Sequence, residues 1–444
     1  MTDHNSSWAK ETRASIALLL FIIAAHVAHL LPQTSQITEV TQSYPATACP
    51  GPIGDAKATA LLPNKNVGVR DVARAKAELW ENNQGSYSIT RGAILVAGNP
   101  SNTITLQSRA GKWTSAATCT ISDSVVWFVG GTADVTSQSK IVLVNSGLSD
   151  AVVDITSFSE NGESQPLPAT IKASSDKTIR IDSLDPGASH TVIQVKTRSG
   201  RVTAYLLDER VKGLNNVGAD FVAPVSQPSR EVIISGLPVS FGNGSKVNHR
   251  LRLLTTGKVD ATASVEVLSP TGVFIPVGFG GVSLSPSEVK EVSLSDVDLG
   301  QKTFALKIVS TEPIVAGVFT EVKKGSISDF MWSSGSQPFG KVSFNLYGLE
   351  PRFTFVGERV QVVISWRTNS GKTDSKVLVG EEIVSWKVPP NLRLVTISNR
   401  SGAVASLTWM SNDGVTHLPL NPSTNLESAT KPLADVTVIQ PKNQ

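Results

Sequence analysis

The chain has 444 residues, of which 17% are charged, and its 40 Lys and Arg barely outnumber its 37 Asp and Glu. So small an excess of positive charge leaves no electrostatic footprint for DNA or RNA, and we predict no nucleic-acid partner. Plentiful aliphatic residues with scattered Gly and Pro argue against a disordered stalk. The chain is too long for one hydrophobic core, so we expect two to four domains.

The first predicted element is an apolar run from Ala14 to Leu31. As a helix it would rise about 27 Å, close to the roughly 30 Å hydrocarbon thickness of a bilayer. Lys10 and Arg13 precede the run, whereas the next basic residue is Lys57, which places the amino terminus in the cytoplasm. We therefore predict a single-pass protein of the cell membrane, with a signal anchor and extracytoplasmic domains. A cleaved signal peptide is the alternative.

The two cysteines of the chain are Cys49 and Cys119. An even number of cysteines in a chain that reads as exported predicts a disulfide, because thiols oxidise outside the cytoplasm. Closing the loop between them would stabilise the fold by roughly 4 kcal/mol. A metal site is the other interpretation, but two sulfurs without a nearby His or spaced carboxylates leave a tetrahedral shell incomplete.

Period-two runs rich in Val, Ile, Thr and Phe recur between turns and predict short strands. The clearest are Lys140 to Val144, Ala151 to Phe158, Lys177 to Ile181, Thr191 to Lys196 and Arg201 to Leu207. One helix is predicted, from Val69 to Asn82, where apolar side chains surround a few charged ones. Strands this short at such spacing predict an all-β protein made of sandwiches or barrels.

An internal repeat indicates the size of the domains. Lys140-Ile141-Val142-Leu143 aligns with Arg250-Leu251-Arg252-Leu253 at an offset of 110 residues, and Ala151 and Gly162 then align with Ala261 and Gly272. A fainter third copy ends at Ser401 to Leu407. A period of about 110 residues matches one immunoglobulin-like β-sandwich, so we predict about three in tandem. The predicted segments are 1–13 (cytoplasmic), 14–31 (anchor), 32–48 (spacer), 49–228 (first sandwich with an N-terminal extension closed by the disulfide), 229–335 (second sandwich) and 336–444 (third sandwich and tail).

Several short motifs together carry a resemblance. They are Cys49-Pro50-Gly51-Pro52, Thr118-Cys119, Val125-Val126-Trp127-Phe128-Val129-Gly130-Gly131, Leu143-Val144-Asn145 and Gly218-Ala219-Asp220-Phe221. In this order they resemble an actinobacterial family of membrane-anchored, exported β-rich proteins known only as a domain of unknown function. The resemblance implies a pairing of Cys49 with Cys119. Asn145-Ser146 stands where the family commonly has Asn-Pro, which weakens any detailed prediction for that turn.

Little in the sequence points to catalysis. His190, His249 and His417 lie in no sequence pattern typical of a catalytic nucleophile and its base, so we predict no catalytic residue, no cofactor and no enzyme activity. Asp296 and Asp298 offer oxygen atoms for calcium, but they do not complete a ligand series and a solvated turn is favoured. We therefore predict no metal site.

The aromatic residues suggest one partner surface. Trp127 and Phe128 are adjacent, so in a strand one faces the core and the other faces outwards. The outward member of this pair is the predicted partner surface. Most of the Trp residues near the carboxyl end are expected in the core, namely Trp332, Trp366, Trp386 and Trp409.

These observations predict a non-catalytic scaffold or protein-binding protein of the cell envelope. Its expected partners are the membrane, through residues 14–31, and an envelope protein or glycan. Two alternatives stay open. A carbohydrate or peptidoglycan binding module would need coplanar, exposed Trp or Tyr side chains. An accessory subunit of an envelope enzyme would show a large exposed apolar patch.

Overall fold

The computed structural model describes residues 15–24, 39–40, 47–63, 67–77, 81–83, 85–97, 102–213, 215–300, 303–346, 349–422 and 429–430. Most of these residues lie in β-strands, which confirms the prediction of an all-β protein. The chain divides into two compact units, one of residues 45–425 and one of the terminal segments 1–44 and 426–444. In the terminal unit, strand β1 (Glu39–Val40) pairs with the last strand, β33 (Ala429–Thr430).

The predicted membrane anchor is the main correction. Within the predicted anchor, residues 15–24 are described and are α-helical. No described helix is long and apolar enough to cross a membrane. This finding contradicts the predicted single-pass location in the cell membrane, because the ten described helical residues are fewer than the roughly 20 that a transmembrane helix needs. Residues 1–14 and 25–31 lie outside the described part.

The first sandwich consists of two four-stranded sheets. Its strands are β2 (Thr47–Cys49), β3 (Lys57–Leu61), β4 (Val67–Asp71), β5 (Glu81–Asn83), β6 (Ser86–Ile89), β7 (Ile94–Ala97), β8 (Ile104–Arg109) and β9 (Trp113–Thr118). The sheet orders are β2-β7-β4-β5 and β6-β3-β8-β9. A 3-10 turn, Val72–Ala77, follows β4, so the helix predicted from Val69 to Asn82 is wrong. Val67 and Val69 are buried with strand periodicity on one face of β4.

The disulfide between Cys49 and Cys119 is present and closes this sandwich. Cys49 ends β2 and Cys119 follows β9, and both side chains are buried in the core between the two sheets. Beside the disulfide, the backbones of Ala48 and Thr120 exchange two hydrogen bonds. The bond therefore joins the first strand of the sandwich to the end of its last strand.

The second sandwich begins at β10. Its strands are β10 (Val125–Val129), β11 (Lys140–Asn145), β12 (Ala151–Ser159), β13 (Gly162–Glu163), β14 (Leu167–Ile171), β15 (Ser175–Arg180), β16 (Val192–Ser199), β17 (Val202–Lys212) and β18 (Asn215–Val222), with a 3-10 turn at Ile181–Ser183. One sheet has the order β10-β16-β12-β13, with β14 also on β12, and the other has the order β15-β11-β17-β18. Side chains such as Phe128, Ile141 and Ile155 fill the core between them.

The third sandwich shares one long strand between its two sheets. Its strands are β19 (Ser229–Leu237), β20 (Ser245–Thr255), β21 (Ala261–Ser269), β22 (Gly272–Phe274), β23 (Val282–Leu284), β24 (Lys290–Ser293), β25 (Phe304–Lys324) and β26 (Ile327–Ser334). Up to Ile314, β25 pairs with β19 and β21; beyond it, β25 pairs with β20 and β26. Pro313 lies where the strand passes between sheets, because proline has no N–H to give to a ladder.

The fourth sandwich also has long strands that pass between its sheets. Its strands are β27 (Lys341–Asn345), β28 (Arg352–Thr368), β29 (Thr373–Lys387), β30 (Leu392–Asn399), β31 (Val404–Met410) and β32 (Val415–Leu420). The first part of β28 pairs with β31 and the last part with β30, while β29 follows β28 along its length. β27 extends the sheet beside β30, and β32 extends it beside β31.

One strand order occurs four times in residues 47–420. The strands of each sandwich are numbered from one to eight, with β13 and β14 or β22 and β23 sharing the fourth place and with the two parts of the long strands β25, β28 and β29 counted separately. One sheet then reads 1-6-3-4 and the other 5-2-7-8. The repeat found in the sequence corresponds to strands two to four of the second and third sandwiches, where Ala151–Ser159 and Ala261–Ser269 differ by 110. The sequence predicted about three units, whereas the N-terminal extension forms a sandwich of its own. The predicted domain boundaries stay predictions.

Candidate functional site at the ring of last strands

The last strands of the four sandwiches lie side by side in a closed ring. β18 packs against β9 and β26, and β32 packs against β26 and β9. Each of the four lies at the edge of its own sheet, where unpaired backbone groups would otherwise face solvent. We call this arrangement the ring junction. Each of the four strands contributes a polar side chain to hydrogen bonds between them, namely Ser115, Asp220, Asp329 and Thr416.

Asp220 on β18 is the most connected side chain of the ring junction. Its carboxyl accepts hydrogen bonds from the Ser115 hydroxyl (2.8 Å), the Thr416 hydroxyl (3.0 Å) and the Trp332 backbone N–H (2.8 Å). These partners lie on β9, β32 and β26, so a single carboxyl connects all four sandwiches. Burial raises the pKa of Asp220 well above its ordinary value, although the hydrogen bonds oppose the rise.

Asp329 on β26 is a second buried carboxyl of the ring junction. It accepts hydrogen bonds from the backbone N–H groups of Ala219 (3.1 Å) and Val415 (3.0 Å). Two glycines make room for it, because a Cβ at Gly414 would lie 1.9 Å from one carboxyl oxygen and a Cβ at Gly218 would lie 2.3 Å from the other. Burial, with a smaller contribution from the neighbouring Asp220 charge, raises the pKa of Asp329 well above its ordinary value.

A buried arginine joins the second and third sandwiches beside the ring junction. Arg252 is 2% exposed and donates hydrogen bonds to the carbonyls of Gly131 and Thr191, each at 2.8 Å. Its other nitrogens donate to Glu291, and its guanidinium stacks 4.7 Å from the ring of Trp332. Burial lowers the pKa of Arg252, and the Glu291 carboxylate opposes that fall.

A second ion pair also contacts this tryptophan, through its indole N–H. Asp208 accepts hydrogen bonds from the Trp332 indole N–H (2.8 Å) and the Ser139 hydroxyl (2.7 Å), and Arg210 binds it with two nitrogens. Burial would raise the pKa of Asp208, but Arg210 and the hydrogen bonds lower it below its ordinary value. The Arg210 guanidinium also lies 4.4 Å from the ring of Phe319, so this cluster joins the same two sandwiches.

The histidines of the described β region have different surroundings. His249 is held by the Thr320 hydroxyl and the Pro238 carbonyl, and His417 by the Ser235 carbonyl. Burial lowers the pKa of both imidazoles to about 4, so both are neutral at pH 7. His190 is partly exposed beside Glu291, and burial lowers its pKa as well. No serine or cysteine nucleophile is hydrogen-bonded to any of the three in the part of the chain described here.

Trp127 and Phe128 point to opposite faces of β10, as the period of a strand requires. Both are nevertheless buried, at 5% and 0% exposed. Phe128 lies in the core of the second sandwich, whereas Trp127 packs beside Phe158 in a buried cluster that includes Leu254 of the third sandwich. The outward face of β10 is therefore covered by the next sandwich, and the predicted partner surface at this pair is not exposed.

Two further sequence predictions concern metals and aromatic platforms. No group of three His, Cys, Asp or Glu side chains among the described residues could hold a metal ion. Asp298 instead accepts a hydrogen bond from the Gly300 backbone in a turn. Trp332, Trp386 and Trp409 are buried, and Trp366 is partly buried against the core of the fourth sandwich. The sequence motif Gly218-Ala219-Asp220-Phe221 contained part of the ring junction, but nothing in it revealed that Asp329, far along the chain, lies beside it.

Comparisons with known proteins were made on the sequence and on the fold. A family model described as a family of unknown function (DUF5719) matches residues 90–373. No curated protein matches the chain. A Thermotoga maritima protein, 1070, is 16% identical over 24% of this chain and 93% of its own, with a TM-score of 0.21. Streptomyces avermitilis α-L-rhamnosidase, solved with L-rhamnose, is 10% identical over 82% of this chain and 55% of its own, with a TM-score of 0.14.

Proposed function

The chain belongs to DUF5719, a family of unknown function, and we propose that it is a non-catalytic scaffold that holds a protein partner. The observation that carries the proposal is an exposed apolar turn in the third sandwich. Val273, Phe274, Ile275 and Val277 are between 40% and 101% exposed, in and just after β22. Neighbouring apolar side chains exposed in one turn are typical of a surface that another protein covers.

The ring junction supports a scaffold in a second way. Asp220, Asp329 and Arg252 are buried and form hydrogen bonds with residues of other sandwiches. These bonds fix the four sandwiches relative to one another. A rigid body that presents a binding turn loses little conformational entropy when it binds. All three side chains are buried and already hydrogen-bonded within the protein, which supports a non-catalytic role.

Carbohydrate binding is the alternative with least support. A sugar platform needs exposed Trp or Tyr faces; among the described Trp residues, Trp366 is partly buried against the core of the fourth sandwich and the others are buried, namely Trp113, Trp127, Trp332, Trp386 and Trp409. An accessory subunit that binds an enzyme is a special case of the proposed protein-binding function. The apolar turn is the kind of exposed patch that either partner would cover.

Crosslinking from the apolar turn tests this proposal. In the full chain, Phe274→p-benzoylphenylalanine is irradiated in the cells that produce it, and adducts are identified by mass spectrometry. Ser164→p-benzoylphenylalanine, at the matching position of the second sandwich, is the control. We expect one protein adduct from position 274 that is absent from position 164. Recovery of glycan alone, or the same adducts from both positions, would contradict the proposal.

A further inference from the structure

The free edge of β29 is a surface that the scaffold proposal does not use. Every residue from Thr373 to Gly380 pairs with β28 on one side, and no described strand pairs with β29 on the other side. Alternate backbone N–H and C=O groups along this part of β29 therefore face away from the sheet. We call residues 373–380 the edge segment.

The strands at the same place in the other three sandwiches are protected against pairing. β5, β22 and β23 have three residues each, and β13 has two. β14 has five residues but contains Pro168, which has no N–H to donate. Short strands and proline are common means of keeping a sheet edge from pairing with another chain. The edge segment has neither of these protections.

The edge segment also exposes apolar side chains. Val377 and Val379 are 55% and 63% exposed, whereas Leu378 between them faces the core of the fourth sandwich and is buried. Val377 lies opposite Val363 on β28, so an apolar pair already crosses this face of the sheet. A further strand beside the edge segment would cover the two exposed valines. An open backbone edge with exposed β-branched side chains favours a β-strand as the occupant.

The charges of the edge segment indicate which strand this is. Asp374 and Lys376 lie two positions apart, hence on one face, and both are exposed without an ion-pair partner among the described residues. If a second copy of the segment pairs antiparallel about Ser375, Asp374 of each copy lies directly opposite Lys376 of the other. Thr373 then lies opposite Val377. The charge pattern is thus complementary to its own copy across a two-fold axis.

We propose that the edge segment pairs antiparallel with the edge segment of a second copy of this chain, centred on Ser375. The pairing joins two fourth sandwiches through one continuous sheet and forms two ion pairs between Asp374 and Lys376. It goes beyond the scaffold function, because it uses a different surface and its partner is the chain itself. The resulting dimer carries two apolar turns, so it could hold two copies of the proposed protein partner.

Sedimentation equilibrium of the full chain tests the pairing. We expect a monomer–dimer equilibrium with a Kd on the order of 10–100 μM, because one pair of edge strands is a small interface. Lys376→Asp and Asp374→Lys each place like charges opposite one another, and each should weaken the dimer about tenfold. Lys290→Asp makes the same change of charge on the exposed edge strand β24 and should leave the dimer unchanged. Circular dichroism checks that all three variants are folded.

Mixing the two weakened variants tests the register. One variant has two acids at positions 374 and 376 and the other has two bases, so an equimolar mixture should form a heterodimer about as tightly as the native chain dimerises. Association through another part of the chain would not depend on these signs. A native chain that stays monomeric at about 1 mM would overturn the proposal. Unchanged dimerisation in either variant, or a mixture that associates no better than its components, would do so as well.

A photocrosslinker separates a second copy from other occupants of the edge segment. Val377→p-benzoylphenylalanine places the reactive group on the face that the added strand would cover. In cells that produce the full chain, we expect an adduct with twice the mass of the chain. An adduct with a different protein alone would assign the edge segment to that protein and overturn the proposal, whatever the outcome of crosslinking from the apolar turn.

Discussion

The second and third sandwiches share one strand order, yet the turns after their third strands differ in chemistry. Residues 162–167 of the second sandwich read Gly-Glu-Ser-Gln-Pro-Leu, and residues 272–277 of the third read Gly-Val-Phe-Ile-Pro-Val. Gly162 and Gly272 both have positive φ, at 102° and 139°, and both turns pair back onto the preceding strand. Three polar side chains in one turn are thus replaced by three apolar ones in the other on a similar backbone.

The sequence difference between these two turns shows which of their residues the fold requires and which it does not. The glycine and proline common to both turns serve the backbone, because they permit the positive φ and the end of the pairing. The apolar residues at 273–275 are exposed, so they do not stabilise the fold by packing in a hydrophobic core. Where two copies of one fold differ at exposed positions, the difference is the better indicator of function. Four measurements test this separation between a shared framework and one specialised turn.

Loss of the disulfide should give the largest effect on the framework. The disulfide lies in the first sandwich, next to the second, whereas the third sandwich contains no disulfide. Replacing Cys49 and Cys119 by Ala should lower the free energy of unfolding by about 4 kcal/mol, because a loop spanning 70 residues is no longer closed in the unfolded chain. Denaturant titration measures the change. A reductant should lower the stability of the native chain equally and leave the variant unaffected; an effect on the variant would contradict this interpretation.

A methyl group in the ring junction should give the next largest effect. Gly414→Ala places a Cβ 1.9 Å from a carboxyl oxygen of Asp329, so we expect a loss of about 3 kcal/mol in the free energy of unfolding. Gly340→Ala, where nothing lies within 4 Å of the added Cβ, is the matched control and should change stability by less than about 0.5 kcal/mol. Equal losses in the two variants would show that the ring junction is not tightly packed.

The third sandwich should also respond to acid through His249, at a position where the second sandwich has Ser139. Burial lowers the pKa of His249 to about 4, so the unfolded chain, with an imidazole pKa of about 6.5, binds the proton first. The neutral His249 therefore makes its whole contribution to the free energy of unfolding above pH 6.5, and this contribution is lost as the pH falls towards 4. Between pH 7 and pH 5 it should contribute a loss of about 2 kcal/mol.

His249→Ser, which introduces the residue of the second sandwich, isolates this titration. Its free energy of unfolding should fall less between pH 7 and pH 5 than that of the native chain, by the same amount. Asp220 and Asp329 act in the opposite direction, because a raised pKa means that stability is gained as the pH falls. They are present in both proteins, so their contribution cancels in the difference. An unchanged pH dependence would show that His249 is not neutral in the folded chain.

The turn exchange should give the smallest effect on stability. Changing Val273 to Glu, Phe274 to Ser and Ile275 to Gln copies the turn of the second sandwich into the third. Since all three side chains are exposed, the free energy of unfolding should change by less than about 0.5 kcal/mol. The crosslinked adduct from the neighbouring Val277→p-benzoylphenylalanine should nevertheless disappear. A large loss of stability would mean that the turn belongs to the framework after all.

Much of the framework could be predicted from the sequence. The strand predicted from Ala151 to Phe158 is β12, and the offset of 110 residues places β21 correctly, because period-two alternation is a local property of each chain segment. The helix predicted from Val69 to Asn82 failed because Val67 and Val69 bury one face of a strand whose other residues are not apolar. The predicted membrane anchor is contradicted, because no described helix is long and apolar enough to cross a membrane.

The candidate site was harder to predict because it depends on contacts between sandwiches. Alternation at Trp127 and Phe128 showed correctly that the two rings face apart, but not that Leu254 and its neighbours cover the outer one. Asp220 lay in a recognised motif, whereas Asp329 is 110 positions from its hydrogen-bond donor Ala219. Sequence spacing carries no sign of such pairs, since they arise only when the edges of separate sheets meet.

The ring of last strands also limits how copies of this fold can be combined. In an open solenoid, each added repeat finds the free face of the previous one, so length has no geometric limit. Here each of β9, β18, β26 and β32 has two neighbours in the ring, and no member is left with an open side within it. A fifth copy could join this ring only by breaking one of its contacts. Growth by duplication is therefore self-terminating at this junction, as it is in closed cyclic assemblies of separate subunits.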